Sequence, residues 1–339
     1  MKITISEVAE KASVSIKTVS RVINNEQGVR QATKDKVQAA MAELNYRPSQ
    51  AARSLASTQS FEIGFIYDNP NAYYIIDMQN GILDVCREQN FELLIHPCDA
   101  HAPNIIQEIL RLVARSNLDG LVLTPPLSEN QKLIFELQKK GVKFVRVISG
   151  KGSLEQANQC VYVNDRAASL SITEYLIDLG HNDIAFICGD PEHKSSHERL
   201  EGYQQALKQR GISVKPNFIV DGEYSFESGV NGAKQLLTLK KMPTAIFASN
   251  DEIAAGALFA CRLEGIDIPN QISIVGFENS PFSRQTWPKL TTAEQPTSLI
   301  AKSATELLLK QIRNQVIEDV IEFNPTLLVR DSTTAFSPK

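Results

Sequence analysis

Cysteine, tryptophan and long apolar runs are all scarce in this 339-residue chain, which has five cysteines and one tryptophan. The cysteines (Cys86, Cys98, Cys160, Cys188, Cys261) are odd in number and show no CxxC or zinc spacing. They read as buried thiols in a reducing compartment, which excludes a disulfide-stapled scaffold. No stretch approaches about 18 apolar residues, and the opening MKITISEVAEKAS lacks a signal-peptide core. The expectation is therefore a cytoplasmic protein with no membrane partner. GxSxG, Walker A, GxGxxG and HExxH are all missing, so no enzyme class is indicated and no cofactor is expected. His193 and His197 stand i, i+4 as a metal pair would, but no third ligand is near them in the sequence. The lone Trp287, just before Pro288, is expected to pack at a crossover between lobes.

What is present fits a folded protein of two or three domains, with 42% hydrophobic and 22% charged residues. The net charge of −4 hides an asymmetry: residues 1–58 carry nine Lys/Arg against five Asp/Glu, and the other 281 carry 26 against 34. A basic head on an acidic body points to nucleic acid at one end.

The head reads as three short helices. Ile5, Val8, Ala9 and Ala12 form one apolar stripe over Ile5–Ala12. A second helix spans Ile16–Ile23 with Ser15 at its N-cap, and a third spans Ala32–Leu44. In the second, Val19, Val22 and Ile23 face inward, while Ile16, Lys17, Ser20 and Arg21 share the opposite face. Such a face suits a major groove: Lys and Arg donate to guanine, and Ile touches a thymine methyl. After Pro48, the segment SQAARSLA (49–56) is too short to be a stable helix alone and reads as a linker that orders against a partner.

From Phe61 the pattern changes to apolar strand-like runs alternating with helix-length stretches. Examples are FEIGFIY (61–67), DGLVLT (119–124), DIAFICG (183–189) and ISIVGF (272–277). This is the pattern of parallel sheets covered by helices. There are enough strands for two doubly wound lobes, with a ligand cleft beyond the strand C-termini.

The run T-I-S-E-V-A-E-K-A-S-V-S-x-x-T-V-S-R-V-I-N-N (4–25), the run V-R-x-x-T-K-x-K-V-x-x-A-M-x-E-L-N-Y-R-P (29–48) and A-A-R-S-L-A (51–56) together resemble the head of LacI/GalR-family transcriptional regulators. The resemblance implies an α/β protein with a small all-α helix-turn-helix head and a two-lobed, periplasmic-binding-protein-like core. The expected boundaries are 1–47 for the head, 48–60 for hinge helix and linker, and 61–339 for the core. Within the core, a first lobe would span about 61–162 plus 291–320, and a second about 163–290 plus 321–330.

The resemblance also implies roles. Ile16, Lys17 and Arg21 would touch base edges, and Ser15, Ser20, Asn24 and Thr33 would hold phosphates, with Thr4 at the edge of the same surface. Leu55, beside Ala52 and Arg53, would be the minor-groove wedge. In the core, Arg199, Glu278, Ser195 and Tyr224 would line the effector cleft, with Tyr73 and Tyr74 at its mouth. Asn250 would contact ligand hydroxyls while Asp251 caps a helix. Glu278 stands where most members carry Asp, which leaves the identity of the ligand open. Arg146 would contact a ligand oxygen or anionic group, or pair with an acid. The expected protein is a repressor of carbohydrate utilisation genes, a dimer or tetramer on pseudo-palindromic double-stranded DNA, controlled by a sugar-like effector. The competing reading is a sugar receptor without regulatory DNA binding.

Overall fold

The computed structural model describes residues 3–23, 28–46, 59–69, 71–152, 156, 158–317 and 319–337. Asn24, Ala52, Arg53 and Leu55 lie outside the described residues. The chain falls into two compact units: Met1–Glu62 with Asn117–Asp119, and Ile63–Ser116 with Gly120–Lys339.

The first unit holds α1 (Ile5–Ala12), α2 (Ile16–Ile23) and α3 (Gln31–Glu43). Val8, Val19 and Val37, one from each helix, are fully buried with Tyr46 beside them. So small a core depends on well-made helix ends. Thr4 donates its N–H and its hydroxyl to Glu7, at 2.7 and 2.9 Å, and closes the start of α1. Ser13 takes a left-handed φ of 54°, which turns the chain toward α2. There the Ser15 hydroxyl accepts the Thr18 N–H at 3.1 Å, as an N-cap does.

The second unit is built on two parallel sheets. In the first lobe lie β1 (Glu62–Tyr67), α4 (Ala72–Gln89), β2 (Glu92–Pro97), α5 (Ile105–Ser116), β3 (Gly120–Leu123), α6 (Gln131–Lys139), β4 (Phe144–Ser149) and β5 (Cys160–Val163). In the second lie α7 (Asp165–Asp178), β6 (Ile184–Ile187), α8 (Lys194–Gln209), β7 (Ile219–Val220), α9 (Phe226–Leu237), β8 (Ala245–Ala248), α10 (Asp251–Leu263), β9 (Ser273–Val275) and α11 (Pro281–Gln285). The chain then runs through β10 (Thr292–Glu294), α12 (Thr297–Ile312), β11 (Ile321–Phe323) and β12 (Thr326–Leu328). The strand orders are β11-β5-β4-β3-β1-β2 and β7-β6-β8-β9, with β10 and β12 as an antiparallel pair. Strands β3, β4, β5, β6 and β8 are buried along their whole length, as a sheet covered on both faces requires.

The lobe boundaries differ from expectation in two places. Thr292–Glu294 was expected in the first lobe. Instead Thr291 and Glu294 bridge to Val275 and Glu278, and Ala293 is buried in the second-lobe core. Ile321–Phe323 was expected in the second lobe, but β11 pairs in parallel with β5 of the first sheet. Three-residue strands carry too little alternation to show their partner. Their place is decided by hydrogen bonds to residues far away in sequence.

Glycine sets one helix spacing that matters below. A Cβ at Gly202 of α8 would come within 2.3 Å of the Arg166 carbonyl on α7, so the two helices meet backbone to backbone here. Gly202→Ala should therefore force them apart and cost about 1–3 kcal/mol, read as a lower urea midpoint. A midpoint equal to that of the parent chain would show that this contact gives way freely.

Candidate functional sites: a basic head and an inter-lobe cavity

On the head, α2 separates two kinds of side chain. Val19 and Val22 are buried, whereas Ile16 is 50% exposed with Lys17 exposed beside it. Ser20 and Arg21 follow on the same outward side, half-buried, and Thr33 is half-buried on α3. Ile16 thus lies outside the small core of the head.

In the core, a cavity of about 50 Å³ lies where strand C-termini from both lobes converge. The first lobe supplies Asn71 and Tyr74, after β1, and Ser149, at the end of β4. The second supplies Asp165, His193, Ser195, Arg199, Tyr224 and Glu278. Arg199 is 3% exposed. Its Nε donates to Asp165 Oδ1 at 2.8 Å, and its Nη1 donates to the Ser249 carbonyl at 2.6 Å and lies 3.6 Å from Glu278 Oε1. The Phe277 ring lies 3.8 Å from the guanidinium carbon, a stacked cation–π contact. Burial opposes the charge on Arg199, but Asp165, Tyr224 and Glu278 outweigh it and raise its pKa above the ordinary arginine value.

Glu278 closes the cavity from the other side. Burial pushes its pKa up to about 7, against the opposing pull of Arg199. Its backbone has φ 101°, and the following Asn279 has φ 57°, both in the left-handed region that side chains avoid. The turn is held by the Glu278 N–H on the Ala293 carbonyl at 2.8 Å and by Arg330 on Asn279 Oδ1 at 2.6 Å. Asn71 reaches across from the first lobe and donates its Nδ2 to Glu278 Oε2 at 2.9 Å. A second link between lobes runs from the Lys194 N–H to Glu129 Oε2 at 3.1 Å. Tyr224 lies along the wall, its hydroxyl 3.0 Å from Ser195 Oγ and 2.8 Å from Ser196 Oγ. Burial lowers the pKa of His193, so its ring is neutral.

Comparison with known proteins settles the ancestry of this arrangement. Residues 4–49 match the bacterial regulatory proteins of the lacI family, and residues 173–333 match a periplasmic binding protein-like domain. Catabolite control protein A of Priestia megaterium is 31% identical over 98% of this chain and 100% of its own. The chain belongs to the LacI family. Among solved structures, the lac repressor dimer bound to operator and the anti-inducer ONPF is 27% identical, covering 99% of this chain and 100% of that one, at TM-score 0.78. The transcriptional regulator CelR–cellobiose complex is 26% identical, covering 97% and 99%, at TM-score 0.74. The protein is thus a DNA-binding transcriptional regulator of the LacI family with a ligand-binding core.

Within this LacI-family core, Tyr74, Ser195, Arg199, Tyr224 and Glu278 meet around one cavity, and three other expected residues lie elsewhere. Tyr73 is 36% exposed with its ring edge-on to Phe282 at 5.8 Å, because consecutive helical residues diverge by a quarter turn. Asn250 takes the capping role expected of Asp251, which is tied into the core instead. Asn250 Oδ1 accepts the Ile253 N–H at 2.9 Å and caps α10, while Asp251 accepts Thr292 Oγ1 at 2.6 Å and the Ser280 N–H at 2.7 Å. Arg146 lines a different cavity. Trp287 is 70% exposed and packs at no crossover core. Asn71, Ser149, Asp165 and His193 were not foreseen. Asn71 carried a usable signal, a cap-type residue in the short loop between an apolar strand and a helix.

Both Glu278 and Asp251, whose pKa burial raises to about 8, bind a proton more readily folded than unfolded. Their contribution to stability is full below the ordinary carboxylate range and is lost as pH rises through about 7 and 8. Urea midpoints should fall between about pH 5 and 8, and Glu278→Gln should flatten the part of that slope below about 7. A variant with the parent slope would show that Glu278 titrates like an exposed acid.

Proposed function

We propose that this LacI-family regulator is a cytoplasmic dimeric repressor whose affinity for a pseudo-palindromic operator is set by a sugar-like effector held in the inter-lobe cavity. Dimerisation follows from reach: one helix-turn-helix reads few base pairs, and two-fold symmetry doubles the site. On this reading the head spans 1–47, hinge and linker 48–60, and the core 61–339. Ile16, Lys17 and Arg21 read bases, and Ser15, Ser20 and Thr33 hold phosphates. Among the described residues no helix is long and apolar enough to cross a membrane.

The observation that carries the sugar is the pairing of Arg199 and Glu278 across 3.6 Å, with the remaining Arg199 donors and a carboxylate turned toward the cavity that Tyr224 walls. Adjacent donor and acceptor groups beside an aromatic wall suit ring hydroxyls and the apolar face of a sugar. The relative solved with cellobiose supports the same class. The cavity of about 50 Å³ is well below the roughly 300–1,000 Å³ of ligand pockets. A ring therefore enters only by parting Asn71 from Glu278, which makes lobe separation depend on ligand. A ligand shifts such an equilibrium only by its differential affinity for the two arrangements, typically about 1–3 kcal/mol. A sugar receptor would have no use for the basic head.

Operator titrations with and without a panel of sugars test this. A sugar should change operator affinity of the parent chain, and Glu278→Gln should lose that response while still binding DNA. Glu278→Gln responding at the parent's sugar concentration would move the effector out of this cavity. On the DNA side, Lys17→Ala should cost about 1–3 kcal/mol and relax the preference at one operator position. A uniform loss across sequences would make Lys17 a phosphate contact.

A further inference from the structure

Arg146 lies on β4, 6% exposed, and its Nε donates to the Ser128 carbonyl at 2.6 Å. Apart from the neighbouring Cys160 thiol, the N–H groups on its two Nη atoms meet no acceptor among the described residues. A guanidinium has five donors, and leaving several unmatched away from water is costly. They are not sealed in. Arg146 lines a second cavity, of about 290 Å³, and Glu129 lines it too. One carboxylate oxygen of Glu129 accepts the Lys194 N–H, and the other, Oε1, is buried with no hydrogen-bond partner among the described residues. This cavity adjoins the first. Ile148 lines both, and at the start of α8 His193 and Ser195 line the first while Lys194 lines the second.

We infer that the second cavity is the subsite for another sugar ring, so that the effector is a disaccharide or longer saccharide, one ring at Arg199 and Glu278 and the next at Arg146 and Glu129. The inference rests on the sugar reading proposed above. An unmatched donor and an unmatched acceptor lining one cavity suit two neighbouring hydroxyls, one accepting from Arg146 and one donating to Glu129. A phosphate would meet the lysine and arginine here but also two carboxylates, Glu129 and Glu192. Size points the same way: the first cavity is too small for a ligand pocket, and the second brings the combined space to the lower end of the usual range.

The test is calorimetric titration of the full chain with glucose, galactose, cellobiose, maltose, lactose and the 6-phosphates of both hexoses. At least one disaccharide should bind about tenfold more tightly than its component hexose. Arg146→Lys, which keeps charge but loses the fork, should remove that advantage and leave hexose affinity within about twofold, and Glu129→Gln should remove it whatever it does to hexose affinity through the Lys194 link. Should Arg146→Lys fail to fold, the near-isosteric Glu129→Gln decides. Equal affinity for hexose and disaccharide, or variants that weaken both alike, would overturn the subsite. So would a hexose 6-phosphate whose advantage disappears in Arg146→Lys, since that makes the cavity an anion site. If no sugar binds at all, the sugar reading itself fails, which is a different result from a hexose that binds without a second-ring gain.

Discussion

A single buried cation organises the effector core. Arg199 is 3% exposed, and a charge so placed persists only where opposite charge and hydrogen-bond acceptors surround it. Asp165 at the start of α7, the Ser249 carbonyl after β8, and Phe277 and Glu278 after β9 supply them. Three chain segments thereby converge on one guanidinium. Breaking such a buried pair typically costs about 3–5 kcal/mol, so Arg199 is as much a structural centre as a binding group. Two of its donor positions are already engaged by protein, and the rest of the fork is what the cavity offers to a ligand. The close passage of α8 over α7 at Gly202 keeps Asp165 within reach of Arg199 one turn earlier.

The lobes are joined across the cleft by weaker means. A neutral amide on a carboxylate, Asn71 to Glu278, and a backbone N–H on Glu129 are the links described above. Both use groups that are partly desolvated, and both involve carboxylates that burial has made less willing to ionise. A strongly paired centre beside readily exchanged inter-lobe bonds is a sensible division for a sensor.

Much of this was legible in the sequence because it is local. The valine spacing of the head, Ser15 as a cap and the alternation of apolar runs each report on a few neighbouring residues. Helix starts in the core are less legible: α8 begins at Lys194 and α4 at Ala72, each with a polar cap residue or a polar first turn ahead of its apolar stripe. Several of these polar first turns ring the cavity, so the absence of an apolar pattern there was itself the mark of the site. Asn71 could not be matched to Glu278 by pattern, since 207 residues separate them. Which of Asn250 and Asp251 caps α10 turns on which side-chain oxygen faces the Ile253 N–H, and two adjacent Asx side chains look alike in sequence. The strands β10, β11 and β12 were hidden because three residues define no period.

On the proposed reading, ligand entry opens the Asn71–Glu278 link while the Arg199–Asp165 pair holds. A crystal structure of the full chain with a sugar that alters operator affinity tests this most directly. The sugar should bond to Glu278 and the free Arg199 donors, with Asn71 Nδ2 moved beyond hydrogen-bond reach of Glu278 from its present 2.9 Å and Arg199 still 2.8 Å from Asp165. A sugar bound elsewhere, or an Asn71–Glu278 bond intact beside a bound ring, would contradict it.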